Sequence, residues 1–221
     1  TGTIKGRVPG DVNDDLVRDA RLPEPLVGTN FEQFGWVEER SWWYRKVFEV
    51  PGQWGDATVI ELSLDGLDVH ADIWLNDTYL GHHPSAFRPF EQEVTTAVEF
   101  GDKNVLLVRL TTGMERVGDT SDFPLLEAVP TEETRGYPER GDKRRVYLRK
   151  PVYVWGFDWC PRLPNCGITG NVEIRAVDTC EVRDVCLSTT LKADEARIDA
   201  TVEFEYNTLL DSTHGNFSII L

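Results

Sequence analysis

The sequence predicts an all-β protein built as an antiparallel β-sandwich, and three observations lead to that prediction. Apolar and polar residues alternate with a period of two along most of the chain, which is typical of strands that bury one face. Gly, Pro, Asn and Asp residues separate these short runs, as turn formers do. A helical period is sustained only at Asp11 to Ala20, where Val12, Leu16 and Val17 would face inward. Many short strands with so little helix favour a jelly roll or a related sandwich.

The predicted strands begin at residue 42. The run at 42–50 puts its aromatic and apolar residues on one face, namely Trp42, Tyr44, Phe48 and Val50. Asn76-Asp77 predicts a tight turn. Residues 113–145 are rich in Gly, Pro and charge, so they predict a long loop, and loops of that length usually have a function. The other runs with strand character lie at 60–64, 71–75, 90–94, 105–110, 146–154 and 172–176.

The organisation of the chain changes near Asp178. Strict alternation at 198–206 predicts a strand that follows an earlier one near 182–191, and a final apolar run closes the sequence. Three strands cannot complete a sandwich, so we expect residues 179–221 to be the first strands of an immunoglobulin-like domain and residues 1–178 to be a jelly-roll domain. The chain begins without Met and ends inside an apolar run, so we expect both ends to be cut from a longer protein.

The composition disfavours several classes of partner. The 221 residues include 23 Lys and Arg against 38 Asp and Glu, for a formal net charge of -15. Duplex nucleic acid and anionic membranes both require a basic surface, so we expect neither as a partner. Seven Trp, ten Phe and six Tyr argue for a packed core and against disorder. No apolar run approaches the ~18 residues of a membrane helix.

The four cysteines, at positions 160, 166, 180 and 186, do not have the spacing of a zinc site. We expect free, packed thiols, with a disulfide between Cys160 and Cys166 as the alternative. Free thiols favour a cytoplasmic location, although polysaccharide-degrading proteins are often exported. His82 and His83 are adjacent, so in a strand their rings point to opposite faces and cannot bind one metal ion together. We therefore expect surface histidines and no metal site.

The densest mixture of aromatic and polar residues lies at 149–161. Within it, Asp158 stands between two large aromatic residues, Phe157 and Trp159. Aromatic rings stack on the C–H face of a pyranose, and a carboxylate accepts hydrogen bonds from its hydroxyls, so the pattern suits sugar recognition. The alternative is structural: Trp155 and Trp159 would belong to the core, and Asp158 would cap a turn.

Several motifs in order along the chain resemble the N-terminal domain of glycoside hydrolase family 2. The Arg149-Lys150-Pro151 motif and the aromatic loop that follows it are most similar to β-mannosidases. The resemblance covers residues 1–178, and the remainder resembles the immunoglobulin-like domain that follows in this family. The motifs that carry it are Val8-Pro9-Gly10, Trp43-Tyr44-Arg45, Gly66-Leu67-Asp68, Leu75-Asn76-Asp77, Leu80-Gly81, Phe87-Arg88-Pro89, Trp155 to Arg162 and Gly167-Ile168.

The resemblance implies a galactose-binding-like jelly roll whose loops wall the active site of a separate TIM barrel. Phe157, Asp158 and Trp159 would then reach the subsite that holds the terminal sugar. Asn30 would approach the same pocket, and Lys150 would either contact the sugar or support the loop. The chain departs from the family pattern at Phe157, where Trp is usual, at Cys160, where Gly is usual, and at Asn13, where His is common.

The resemblance also implies that the catalytic residues lie outside these 221 residues. The family's acid/base is a Glu that follows an Asn on a barrel strand, and this sequence has no Asn-Glu dipeptide and no barrel pattern. We therefore expect a catalytically silent part of a retaining exo-β-mannosidase-like hydrolase that acts on a terminal β-mannoside without a cofactor. Two alternatives remain: an autonomous carbohydrate-binding module, or the same domain from a β-glucosaminidase, β-glucuronidase or β-galactosidase.

Overall fold

Antiparallel β-sheets dominate the computed structural model, which describes residues 2–56, 59–118, 143–156, 160–177 and 180–206. One α-helix, α1, spans Val12–Arg18, and short 3-10 helices lie between strands. The strands of the described residues are β1 (Trp42–Glu49), β2 (Val59–Leu64), β3 (Leu67–Asp68), β4 (His70–Leu75), β5 (Thr78–His83), β6 (Phe90–Glu93), β7 (Lys103–Thr111), β8 (Gly167–Ile168), β9 (Val172–Val177), β10 (Cys180–Lys192) and β11 (Glu195–Tyr206).

Two sheets enclose the main core. One has the strand order β1-β7-β4-β5 and the other the order β6-β2-β9. Alternate residues of both sheets point inward and are almost fully buried, among them Leu62, Ile73 and Leu110. The short pair of β3 and β8 lies against the same core through Leu67 and Ile168. The predicted antiparallel β-sandwich is therefore confirmed.

The prediction of a strand at 146–154 is wrong. The structure has two 3-10 turns there, Lys143–Tyr147 and Val152–Trp155, with Pro151 between them. Proline has no N–H for a ladder hydrogen bond, so an alternating run that contains it does not extend a central strand. Leu148 of this run is buried in another way, because it packs with Met114 and Trp155 in a separate cluster, whereas Val152 and Tyr153 are exposed.

The helix predicted at Asp11 to Ala20 is confirmed as α1. Asp11 caps it, because its side chain accepts hydrogen bonds from the N–H groups of Asn13 and Asp14. Val12 and Leu16 are buried and Val17 is half-buried, as the spacing predicts. A 3-10 helix at Asn30–Val37, which the sequence did not indicate, packs against this helix through Phe34 and Val37. The predicted turn at Asn76-Asp77 is also present.

The long strands β10 and β11 form an antiparallel hairpin where the sequence predicts strands at 182–191 and 198–206. An ion pair between Arg183 of β10 and Glu61 of β2 joins the hairpin to the three-stranded sheet. The division at residues 178 and 179, and the immunoglobulin-like character of 179–221, stay predictions, since residues 207–221 lie outside the described part of the chain. No helix among the described residues is long and apolar enough to cross a membrane.

Candidate carbohydrate-binding site

The candidate site is the loop that carries the aromatic-Asp-Trp motif. Its tip, formed by Phe157, Asp158 and Trp159, lies outside the described residues, so their predicted contacts with sugar stay predictions. Both ends of the loop are described, from Lys150 to Gly156 and from Cys160 to Cys166. They show how the fold holds this loop.

Lys150 connects the two ends of the loop at its base. Its ammonium donates to the carbonyl oxygen of Asn165 at 2.6 Å and forms an ion pair with the carboxylate of Asp68 on β3. The side chain of Lys150 is fully buried, and that of Asp68 is 8% exposed. One cation therefore joins the residue that begins the loop, the segment that ends it and a strand of the sandwich. These partners give Lys150 a supporting position at the base of the loop.

Burial acts on both members of this ion pair. It raises the pKa of the Asp68 carboxyl and lowers the pKa of the Lys150 ammonium, and the charge of each partner opposes that effect on the other. A buried charge that lost its partner would be strongly unfavourable, so the two residues depend on each other. The ion pair thus lies shielded from solvent at the base of the loop, and contact of Lys150 with a sugar stays a prediction.

The first half of the loop is anchored by Trp155. Its ring is fully buried in the cluster with Met114 and Leu148. Trp155 therefore belongs to the core, which is the structural alternative that the sequence left open for it. The N–H of Leu163 donates to the carbonyl oxygen of Val154 at 3.0 Å, which pairs the two halves of the loop. Gly156 follows with a φ of 94°, a conformation that L side chains rarely adopt, and this turns the chain towards the tip.

The second half of the loop is held by two further contacts. The guanidinium of Arg162 forms an ion pair with Glu38 at 2.7 Å, and the side-chain amide of Asn13 donates to the carbonyl oxygen of Pro164 at 3.2 Å. Asn30 begins the 3-10 helix that ends just before Glu38, and its own side chain donates to the carbonyl oxygen of Glu24 at 2.9 Å. The structure thus links the segment of Asn30 to the predicted loop through Glu38.

The thiols near the site are free. Cys160 is exposed and Cys166 is buried, so the alternative of a disulfide between them is wrong. Burial raises the pKa of Cys166 to about 12, which keeps it protonated and unreactive. The described residues include no group of three or more His, Cys, Asp or Glu side chains that could hold a metal ion.

The two adjacent histidines do point to opposite faces of β5, but they are not surface groups. His83 is buried, and its Nε2 lies 2.8 Å from the carbonyl oxygen of Ser85. His82 is half-buried and bonds to Asp72 on one side and His70 on the other. The prediction of surface histidines is wrong because neighbouring strands and turns supply partners for both rings.

Sequence reasoning missed Asp68, Asn165, Glu38 and Arg162 as parts of this site. One signal was available: Asp68 and Lys150 belong to two of the family motifs and carry opposite charges. They are 82 positions apart, however, and no periodicity relates them. The carbonyl oxygen of Asn165 has no sequence signal at all, because any residue supplies a backbone acceptor.

The paired antiparallel sheets and the short β3–β8 pair define an antiparallel β-sandwich. Within that class, the chain belongs to the family described as glycosyl hydrolase 2 galactose-binding domain-like, whose model matches residues 1–170.

The chain is similar in sequence to proteins named as β-mannosidases. Beta-mannosidase B of Aspergillus niger is 31% identical over 218 residues, which cover 97% of this chain and 24% of that protein. Beta-D-mannosidase from Dictyoglomus thermophilum has a similar structure, with 30% identity, a TM-score of 0.77 and coverage of 91% of this chain and 24% of that chain. The chain thus spans about a quarter of the length of the curated relatives that it matches.

A β-glucuronidase from Dictyoglomus thermophilum has a TM-score of 0.55 but only 16% identity, with coverage of 93% of this chain and 30% of that chain. This second likeness shows a shared fold alone.

Proposed function

We propose that the chain is the non-catalytic sugar-binding domain of a retaining exo-β-mannosidase-like glycoside hydrolase. In this proposal Phe157, Asp158 and Trp159 form one wall of the subsite for the terminal β-mannoside. A TIM-barrel domain of the same polypeptide supplies the catalytic acid and nucleophile, so these 221 residues alone hydrolyse nothing. The observation that carries the proposal is the identity of about 30% to β-mannosidases over more than nine-tenths of the chain.

The contacts that hold the two ends of the loop support this role for the tip. Lys150, Trp155 and Arg162 each fix a different part of the loop to the sandwich. Fixed ends limit the number of residues whose ordering a bound sugar would have to offset, which favours binding. Lys150 acts in this proposal through the loop, as a positioning residue, and Asn30 stays a proposed neighbour of the pocket.

The test is Asp158→Ala in the full-length polypeptide, assayed on an aryl β-mannoside. Loss of charge-assisted hydrogen bonds to the sugar hydroxyls should cost a few kcal/mol of transition-state stabilisation, or roughly 100-fold in kcat/KM. The matched control is Asp77→Ala, which removes an exposed carboxylate in the turn before β5 and should leave kcat/KM unchanged.

Two outcomes would contradict the proposal. Unchanged kcat/KM in the Asp158 variant would assign that carboxylate a structural role. Faster hydrolysis of an aryl β-glucuronide, β-galactoside or N-acetyl-β-glucosaminide than of the mannoside would assign the domain to another branch of the family.

A further inference from the structure

The two sheets of the sandwich differ in the residues that they turn away from the core. In the three-stranded sheet, most directly opposite residues on the outer face are charged or polar, among them Ser63 with its partners Glu91 and Glu173, although Val59 lies opposite Val177. This is the usual pattern for an outer face that meets water. The outer face of the three-stranded sheet can therefore be compared with the outer face of the four-stranded sheet.

The outer face of the four-stranded sheet is not built for water. Its pairing places Leu107 of β7 opposite Trp74 of β4, and Trp74 opposite Tyr79 of β5. Trp43 of β1 lies on the same face, opposite Arg109 of β7. Trp43 and Tyr79 are 54% and 53% exposed, respectively. Three neighbouring aromatic side chains therefore lie on the outer face of this sheet, whereas charged and polar residues predominate on the outer face of the other sheet.

These three rings form a continuous ridge. The ring centroids of Trp43 and Trp74 are 5.6 Å apart at an interplanar angle of 27°, and those of Trp74 and Tyr79 are 5.2 Å apart at 47°. Trp74 is held between its two neighbours, so its own ring faces are covered. The outward surfaces of Trp43 and Tyr79 form the accessible parts of the ridge.

A fixed polar network borders the ridge. The Asp72 carboxylate accepts hydrogen bonds from Arg109 at 2.9 Å and Arg116 at 3.1 Å on one oxygen, and it lies 2.8 Å from the ring nitrogen of His82 on the other. Both oxygens are therefore engaged within the protein. Exposed Arg45 stands on the same face, opposite Leu107. Arg45 thus lies beside the ridge together with Arg109 and Arg116, which are paired with Asp72.

We infer that the outer face of the four-stranded sheet is the docking surface for the catalytic domain of the same polypeptide. Trp, Tyr and Arg side chains on an ordered surface are the residues that dominate binding energy at protein interfaces. The inference rests on the proposed function, because relatives about four times as long as this chain supply the reason to expect such a domain. The arginines predict that the docked domain presents an apolar patch bordered by carboxylates.

Two other occupants fit the geometry less well. A sugar needs uncommitted hydrogen-bonding groups beside the ring on which it stacks, whereas both oxygens of the Asp72 carboxylate are already bonded to protein groups. A second copy of the chain would have to bury Arg45 at the edge of the ridge without a carboxylate that is still unpaired on the Asp72 network, because Asp72 is already paired with Arg109 and Arg116.

The experiment compares hydroxyl-radical footprints of the full-length polypeptide and of the 221-residue chain. Modification of Trp43 and Tyr79 should fall at least fivefold in the full-length protein, relative to Phe87, an aromatic that is 65% exposed elsewhere. The variant Tyr79→Ser provides a second measurement. It should lower the melting temperature of the full-length protein by several degrees more than that of the isolated chain, which loses only the contacts of Tyr79 with Trp74 and Asp72.

Each other outcome overturns the inference. Equal footprints in the two proteins would leave the face open to solvent. Protection of Trp43 and Tyr79 in the isolated chain that rises with its concentration would assign the face to a second copy. Protection of Trp43 and Tyr79 in the isolated chain by added mannohexaose would show that this face binds sugar. Hydrolysis of an aryl β-mannoside is measured on the same full-length sample, so an active enzyme with an unprotected face refutes the docking surface and leaves the proposed function standing.

Discussion

At the residue scale, Lys150 shows how one buried charge organises a loop. The variant Lys150→Met should destabilise the 221-residue chain by about 3–5 kcal/mol, because it leaves the Asp68 carboxylate buried without its partner. Urea unfolding followed by tryptophan fluorescence measures the change. The double variant Lys150→Met with Asp68→Leu is the control, and it should recover part of the loss because no charge remains buried. Equal stability of the single variant and the parent chain would show that the ion pair between Lys150 and Asp68 does not stabilise the base of the loop.

A second residue-scale prediction concerns His70, which faces His82, Asp72, Glu115 and Arg116. Burial, with the nearby charge of His82, lowers the pKa of His70 to about 4. The unfolded chain therefore binds a proton at a higher pH than the folded chain, so this contribution to stability is complete above pH ~6.5 and is lost as pH falls towards 4. Between pH 7 and pH 5 the loss should be about 1 kcal/mol, allowing for partial solvent screening.

The measurement for His70 is the free energy of unfolding at the two pH values in the parent chain and in His70→Gln. The glutamine side chain cannot take up this proton, so the variant should lose about 1 kcal/mol less than the parent chain over the same interval. Other titrating groups are common to both proteins and cancel in the comparison. An identical pH dependence would mean that His70 does not titrate differently in the folded and unfolded states.

At the element scale, the sequence could predict the strands that bury one face. Alternation identified β2 and β4 because each packs one side against the core and so needs a period of two, and the compact apolar run at 105–108 identified β7. It failed at 146–154, where Pro151 interrupts the run and burial of Trp155 comes from a cluster outside the sheets. The contacts that close the loop could not be predicted, since they join residues far apart in sequence and use backbone acceptors.

The contact between β2 and β10 carries a prediction at the same scale. Glu61 is 7% exposed, and its carboxylate accepts a hydrogen bond from Arg183 at 2.7 Å. This hydrogen bond, with that from Arg175, outweighs burial and lowers the pKa of Glu61. The stabilisation is thus present above the ordinary pKa of the carboxyl and is lost as pH falls below it. Arg183→Met should cost about 1–3 kcal/mol at pH 7, because it removes a charge-assisted hydrogen bond to a buried group.

The control for that prediction lies in the same hairpin. Arg197 pairs with Asp199 at 2.8 Å, but its side chain is 78% exposed. Exposed ion pairs contribute little, so Arg197→Met should change the free energy of unfolding by less than about 0.5 kcal/mol. Urea unfolding at pH 7 compares the two variants. Equal losses would show that the Glu61 contact does not fix the hairpin to the sandwich.

At the scale of the whole molecule, the chain offers one wall of a proposed pocket and one proposed docking surface. A sugar enclosed on one side buries little of its surface and gains few of the hydrogen bonds that a complete subsite provides. The 221-residue chain should therefore bind methyl β-mannoside with a Kd of about 1 mM or weaker, which corresponds to about 4 kcal/mol or less. Titration followed by NMR of the tryptophan indole N–H groups measures this value, with Asp158→Ala as the comparison. A micromolar Kd in the isolated chain that is lost in Asp158→Ala would make the domain an autonomous carbohydrate-binding module, because its own residues would then form a complete site.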